Sequence, residues 1–135
     1  AIIVAAGRGI RAGTAGPKQY RDLAGESVLA RAVRAFLDHP ETSTVRVIIH
    51  ADDLDLYVQS VAHLSGHPKL LAPVTGGRER QDSVRLGLES LAADPPGIVL
   101  IHDAARPFID APTISRVIAA ARETGGAIAA LPVFD

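Results

Sequence analysis

The chain has 135 residues, of which 47% are hydrophobic, so it is long enough to bury one hydrophobic core. A formal net charge of −1 excludes a bulk basic surface for nucleic acid, and the absence of cysteine excludes disulfides, zinc–thiolate sites and thiol chemistry. No apolar run reaches the ~18 residues of a membrane span, and no signal-like segment is present. We therefore expect a cytoplasmic protein that contacts neither nucleic acid nor a membrane.

The first predicted element is an apolar strand over residues 1–6, which stops at Gly7 and opens into a glycine-rich loop. Without Cβ atoms, such a loop lets backbone N–H groups approach an anion closely. Arg11 and Lys18 add two fixed positive charges to the same loop. The combination predicts a site for several phosphates, and the alternative is a mobile surface loop that merely holds basic residues.

Two common phosphate-binding motifs do not fit this loop. A dinucleotide fingerprint requires G-x-G-x-x-G, but here the glycines are Gly7, Gly9 and Gly13, so the third comes one residue late. A P-loop requires Gly-Lys followed by Ser or Thr, whereas Lys18 follows Pro17.

Strands and helices then alternate along the chain. Further strands are predicted over residues 45–50, 70–74, 98–102 and 127–133, and the segment 98–102 is the clearest buried strand. The first predicted helix has Ser27 as its N-cap, and the second is capped by Asp52 or Asp53. The third begins at about residue 79, and the fourth has Pro112 in its first turn. Their inward faces are predicted to be Leu29, Val33, Phe36 and Leu37; Leu54, Tyr57, Val58, Val61 and Leu64; Val84, Leu88 and Leu91; and Ile114, Val117, Ile118 and Ala121.

This alternation with short connections predicts an α/β fold: a mostly parallel, Rossmann-like sheet with helices on both faces. We expect one nucleotide-binding α/β domain over residues 1–135, incomplete at its C-terminus because the chain stops just after a predicted strand. Ligands of such sheets bind beyond the carboxyl ends of the strands. Three polar or glycine-rich segments, 7–18, 76–83 and 103–106, follow strand ends and are expected to converge there.

Asp103 directly follows a predicted buried strand. It fits a Mg²⁺ ligand, since a hard cation that is bound together with substrate phosphates needs only one or two carboxylates. It fits equally a cap of the following turn. His102 is expected to be a packed or hydrogen-bonded residue at the strand end, and the five histidines lack metal-site spacing. Segment 76–83 fits a contact with a base or ribose, or a charged first turn of a helix.

The motifs together identify a resemblance over the whole chain. The sequence resembles the 2-C-methyl-D-erythritol 4-phosphate cytidylyltransferases of the non-mevalonate isoprenoid pathway, within the nucleotide-diphospho-sugar transferase-like fold. The motifs that carry the resemblance are Ala5-Ala6-Gly7-x-Gly9-x-Arg11, Pro17-Lys18-Gln19, Gly76-Gly77-x-x-Arg80-Gln81-x-Ser83-Val84, and His102-Asp103-Ala104-Ala105-Arg106-Pro107.

The resemblance implies transfer of CMP from CTP to 2-C-methyl-D-erythritol 4-phosphate with release of pyrophosphate. Arg11 and Lys18 would be catalytic, Asp103 would bind Mg²⁺, and Arg106 would help to position the sugar phosphate. The nucleotide would be bound by Ala5, Ala6, Gly7, Gly9, Gly77, Ser83, Ala104 and Ala105. The resemblance also implies a homodimer formed through a segment absent here.

Two alternatives stay open at this point. One is another nucleotidyltransferase, such as a ribitol-5-phosphate cytidylyltransferase. The other is a nucleotide-binding module without catalysis, against which the joint presence of Arg11, Lys18 and Asp103 argues. The sequence leaves open a fused second enzyme after Asp135, as in bifunctional members of the family.

Overall fold

The structure, a computed structural model, describes residues 1–8 and 16–132. Within these residues the strands are β1 (Ile2–Ala5), β2 (Arg46–Ile49), β3 (Val74–Thr75) and β4 (Ile101–Asp103), and the α-helices are α1 (Val28–Leu37), α2 (Leu54–Ser60), α3 (Arg80–Glu89) and α4 (Ala111–Thr124). All strand pairs are parallel, and the sheet order is β3-β2-β1-β4. In this part of the chain no helix is both long and apolar enough to cross a membrane.

Helices cover both faces of the sheet, as the strand alternation predicted. Along β1, Ile3 and Ala5 belong to the core that includes residues of α1, α2 and α4. Ile2 points to the opposite face, because side chains alternate along a strand, and there it meets α3 at Gly87. The predicted fold class is therefore confirmed, with β1 in the interior of the sheet.

Helices α1 and α4 follow their predicted patterns closely. All four predicted inward residues of α1 are at most 3% exposed, and Ser27 Oγ accepts the N–H of Ala30 at 3.0 Å. In α4, Ile114 and Ile118 are buried and Val117 and Ala121 half-buried, and Pro112 lies in the first turn. These helices bury a wide apolar stripe, which is the case that helical spacing identifies best.

Helix α3 packs through small residues, so its predicted face was wrong. Its buried positions are Ser83 and Gly87, whereas Leu88 is 42% exposed and Val84 and Leu91 are only half-buried. A Cβ at Gly87 would lie 3.0 Å from Ile48 Cδ1 and 3.1 Å from Ile2 Cγ2. Gly87 therefore permits the close packing of α3 on the sheet, and a larger residue on that stripe would push the helix away from the sheet.

Helix α2 also departs from its predicted face. Tyr57 and Val61 are buried and Leu64 is half-buried, but Leu54 and Val58 are 51% and 55% exposed. The helix ends at Ser60 and a 3₁₀ helix, Ala62–Leu64, follows, so one continuous α-helical stripe cannot form.

The predicted side-chain cap of α2 is absent. Asp53 stands at the N-cap position without a capping hydrogen bond from its side chain. Asp52 does not cap either; its N–H donates to Nδ1 of His50 at 3.2 Å in the preceding 3₁₀ helix, Ala51–Asp53. The imidazole of His50 therefore caps the 3₁₀ helix that precedes α2, whereas a carboxylate was expected to cap α2 itself.

Three strand predictions need correction. Segment 70–74 contributes only β3 and an isolated bridge from Leu70 to Val45, because Pro73 has no N–H for a ladder. Segment 98–102 gives β4 at Ile101–Asp103, and Ile101 is 44% exposed because β4 is an edge strand of the described sheet. Residues 127–132 form no strand: they pair with none of the strands in the described sheet, and Ile128 and Leu131 are exposed.

Candidate functional site

A cleft of about 440 Å³ opens at the carboxyl ends of β1 and β4, beside the N-terminus of α3. All of the predicted site residues that the structure describes line this cleft: Ala5, Ala6, Gly7, Lys18, Gly77, Ser83, Asp103, Ala104, Ala105 and Arg106. The predicted residues Gly9 and Arg11 lie outside the described residues. The three segments that were expected to converge therefore meet in one place.

The carboxylate of Asp103 is held by Arg80, which reaches it from α3. Arg80 donates from Nε at 3.0 Å and from Nη2 at 2.9 Å, both to Oδ1 of Asp103. The other oxygen, Oδ2, lies 3.6 Å from Nε of Arg106, which is an ion-pair distance but too long for a hydrogen bond. Within the described part of the chain, the two hydrogen bonds to the Asp103 side chain both come from α3 across the cleft, which does not support a turn cap.

His102 fixes the turn that follows β4. Its Nε2 lies 2.8 Å from the carbonyl oxygen of Arg106 and must carry the proton, because a carbonyl only accepts. The ring also packs against Phe36, with centroids 5.1 Å apart. Burial lowers the pKa of His102 below its usual 6.5, so the ring stays neutral at pH 7. The prediction of a packed, hydrogen-bonded residue is confirmed.

The backbone of the same turn is also bonded at both ends. The N–H of Ala104 donates to the carbonyl of Val4 in β1 at 3.0 Å, and the N–H of Arg106 donates to the carbonyl of Asp103 at 3.0 Å. The Ala104 side chain is buried in the core, while Ala105 is exposed. Two small residues thus separate Asp103 from Arg106 without filling the cleft.

Segment 76–79 connects β3 to α3 through a hydrogen-bonded loop. Ser83 Oγ accepts the N–H of Gly77 at 3.2 Å and donates to the carbonyl of Glu79 at 3.2 Å. A Cβ at Gly76 would lie 2.6 Å from both Ala6 Cβ and Ser83 Oγ, so only glycine fits there. Ser83 is 1% exposed, and its hydroxyl organises the loop beside the cleft.

Lys18 begins the short 3₁₀ helix Lys18–Tyr20, and its side chain is exposed at the cleft. The next residue, Gln19, is buried and bonded to the end of β1. Gln19 and Arg80 lie within two of the sequence motifs, but the sequence around them indicates no role for either residue. No pattern in a single sequence distinguishes a buried amide or a cross-cleft arginine from an exposed one.

Positive charge predominates around the cleft. Among the residues that the structure describes, four basic and two acidic side chains line it, which leaves a formal surplus of two positive charges. The basic residues are Lys18, Arg78, Arg80 and Arg106, and the acidic residues are Glu79 and Asp103. A ligand that carries several negative charges suits such a lining better than a neutral one.

The residues present do not form a metal site by themselves. Across residues 1–8 and 16–132, no group of three or more His, Cys, Asp or Glu is placed to hold a metal ion. Asp103 nevertheless offers Oδ2, which receives none of the hydrogen bonds that Arg80 donates. This donor set fits a hard cation that takes most of its ligands from a phosphorylated molecule in the cleft.

Comparison with known proteins gives consistent results. The family described as IspD, 2-C-methyl-D-erythritol 4-phosphate cytidylyltransferase, matches residues 1–135. A protein of Nitrobacter hamburgensis named bifunctional enzyme IspD/IspF is 55% identical over 135 residues, which is all of this chain and 32% of that protein. This chain therefore spans about a third of the length of the curated relatives that it matches.

Solved structures extend the comparison to the fold. A crystal structure of a 4-diphosphocytidyl-2C-methyl-D-erythritol synthase has a TM-score of 0.80 and 27% identity, over 99% of this chain and 59% of that one. The corresponding synthase from Anaerococcus prevotii has a TM-score of 0.74 and 26% identity, over 90% of this chain and 50% of that one.

Proposed function

Because this chain belongs to the 2-C-methyl-D-erythritol 4-phosphate cytidylyltransferase family, we propose that the protein transfers CMP from CTP to 2-C-methyl-D-erythritol 4-phosphate and releases pyrophosphate. The observation that carries the proposal is the cleft, where the described site residues lie together at the carboxyl ends of β1 and β4. Its lining combines a glycine-containing strand end, small side chains and a surplus of positive charge, which suits a nucleoside triphosphate.

This chemistry needs no general base. A phosphate monoester has its second pKa near 6 and is mostly a dianion at pH 7, so no proton has to be removed before attack. One of its oxygens forms a bond to the α-phosphorus of CTP as the bond to the β-phosphate bridge breaks. The obstacle is repulsion between two anions, and preorganised positive charge is the group that lowers it.

The described residues divide between these tasks. Lys18 would contact the triphosphate, together with Arg11 in the segment outside the described residues. Small residues would admit the cytosine and ribose to the cleft: Ala5, Ala6, Gly7, Gly9, Gly77, Ser83, Ala104 and Ala105, of which Gly9 is not described. Arg106, exposed at the rim beside Asp103, would hold the phosphate of the acceptor.

A divalent cation fits the donor set at Asp103, and we propose Mg²⁺. Asp103 would hold it through Oδ2, while Arg80 keeps the carboxylate in place through Oδ1. When bound, the cation supplies charge neutralisation at the phosphates. The homodimer that the resemblance implied stays a prediction, which sedimentation of the complete gene product would test.

The proposal is tested by assaying the complete gene product that contains this chain. Pyrophosphate release from CTP is measured with 2-C-methyl-D-erythritol 4-phosphate and, in parallel, with ribitol 5-phosphate. We expect turnover with the first acceptor and at least tenfold less with the second. Preference for ribitol 5-phosphate would assign the other cytidylyltransferase, and CTP binding without pyrophosphate release would indicate a binding module.

A further inference from the structure

The side chain of Gln19 bridges two carbonyl groups at the end of β1. Its Nε2 donates to the carbonyl oxygen of Ala5 at 2.6 Å and to that of Gly7 at 3.0 Å. The nitrogen must be the atom that faces them, because both partners are acceptors. Gln19 is 5% exposed, and both protons of its amide are used by the chain.

These two bonds join the end of β1 to the turn that holds Lys18, the two segments that are proposed to contact CTP. Ala5 and Gly7 lie on either side of Ala6 where β1 leads into the glycine-rich loop, and Gln19 is the residue after Lys18. No cis peptide occurs in the described chain, and a trans peptide points its N–H opposite to its C=O. By holding the Ala5 carbonyl, Gln19 therefore also directs the N–H of Ala6 away from itself.

The backbone at Lys18 has little other freedom. Pro17 enters the segment with φ −64°, and the N–H of Tyr20 donates to the carbonyl of Pro17 at 3.2 Å. The N–H of Arg21 donates to the carbonyl of Lys18 at 3.2 Å. These hydrogen bonds lie within the turn, whereas those of Gln19 connect the turn to the end of β1, an interior strand of the sheet.

We propose that Gln19 is a positioning residue that sets the distance between Lys18 and the end of β1, so that both contact the same CTP molecule. This inference rests on the proposed function. Gln19 acts through Lys18 and through the strand end, since its own donors are committed to Ala5 and Gly7. A residue that only stabilised the core would affect folding without affecting how Lys18 engages its ligand.

The test is a double-mutant cycle in the complete gene product. Gln19→Glu keeps the size of the side chain but replaces the two N–H donors with oxygen against two carbonyls. We expect kcat/KM for CTP to fall at least tenfold in Gln19→Glu, and to fall less than threefold further when Gln19→Glu is added to Lys18→Ala. Equal losses in both backgrounds would show that Gln19 does not act through Lys18, and an unchanged kcat/KM in the single variant would overturn the proposal.

Two further measurements make the result independent of folding and of the proposed function. Gln59→Glu, on the exposed side of α2, is the matched control and should retain wild-type kcat/KM. Amide hydrogen exchange over residues 16–22 should increase at least fivefold in Gln19→Glu relative to α4, and an unchanged rate would overturn the anchoring role. If Gln19→Glu does not fold, Gln19→Asn, which is too short to reach both carbonyls, replaces it.

Failure of the underlying function is recognised separately. If the wild-type protein shows neither CTP binding nor pyrophosphate release, the proposed function is wrong. The exchange measurement still decides whether Gln19 anchors the turn in that case.

Discussion

Arg80 donates two hydrogen bonds to one oxygen of Asp103, from Nε at 3.0 Å and from Nη2 at 2.9 Å. The pair joins the first turn of α3 to the end of β4 across the cleft. Both side chains are partly solvated, at 62% and 36% exposure, so the pair contributes little to stability. Its importance is geometric, because it determines how the Asp103 carboxylate is presented.

We expect Arg80→Lys to weaken the response to Mg²⁺. Lysine keeps the charge but cannot donate from two nitrogens of a planar fork to one oxygen, so Asp103 would be held less firmly. The Mg²⁺ concentration that gives half-maximal pyrophosphate release should rise at least threefold, with the free energy of unfolding unchanged within about 0.5 kcal/mol. Arg85→Lys, on the same helix and paired with Glu89, is the control; an equal change there would refute the role of Arg80.

Asp103→Asn should abolish most turnover and leave the fold intact. The amide keeps one carbonyl oxygen but loses the negative charge that a hard cation requires. We expect kcat to fall by about 10²–10³, the range for loss of one electrostatic contact in a transition state. Steady-state kinetics with Mg²⁺ titration and a thermal melt measure both effects. Near-normal activity would remove Asp103 from the proposed cation site.

Charge-preserving swaps test whether Arg11 and Lys18 make specific contacts. Arg11→Lys loses a planar fork that can hold two phosphate oxygens, and Lys18→Arg introduces a larger head group beside the end of β1. We expect each swap to lose most of kcat. If kcat/KM for CTP stays near the wild-type value in both variants, these residues supply only a general positive field.

Gly87→Ala should destabilise the protein although alanine favours helices. The new Cβ would lie 3.0 to 3.2 Å from side-chain atoms of Ile48 and Ile2 on the sheet. Overpacking typically costs about 1–3 kcal/mol and the gain in helix propensity is roughly 1 kcal/mol, so the net loss lies at about 0–2 kcal/mol. Urea unfolding measures the net loss, which we expect to be about 1 kcal/mol. Gly97→Ala, where nothing lies within 4 Å of the new Cβ, should be neutral.

His102 should make the stability depend on pH below neutrality. Burial lowers its pKa in the folded state, so below about 6.5 the unfolded chain binds a proton that the folded chain resists. The contribution of His102 is therefore fully present above pH 6.5 and decreases as the pH falls towards the lowered folded-state pKa. Urea unfolding between pH 7.5 and 5.5 should show a shallower decline in a His102→Gln variant than in the wild type. Parallel curves would contradict this prediction.

Sequence patterns predicted the helices that pack through a stripe of large apolar side chains. Helix α1 buries Leu29, Val33, Phe36 and Leu37, and spacing alone identifies such a stripe. Helix α3 buries Ser83 and Gly87 instead, and a stripe of small residues has no hydrophobic signature. Segment 127–132 has the composition of a strand, but a strand also needs a ladder partner, which composition cannot reveal.

The cleft was predicted through topology, because the ends of parallel strands meet at one edge of the sheet. Its internal bonds were not predictable. The contact between Arg80 and Asp103 depends on how α3 lies over the sheet, and that depends on Gly87 and on the tight approach at Gly76. Likewise the bridge from Gln19 depends on the path of a loop whose sequence permits many conformations.

The charge surplus of the cleft has a consequence for the rate of encounter. The chain as a whole carries −1, yet the described lining of its cleft has two more positive than negative side chains. A polyanion is therefore attracted to this end of the sheet, within a Debye length of ~8 Å at physiological salt. Added salt shortens the distance over which the cleft attracts an anion, so the association rate constant of a nucleoside triphosphate should fall as ionic strength rises. The overall negative charge of the chain alone would predict the opposite trend.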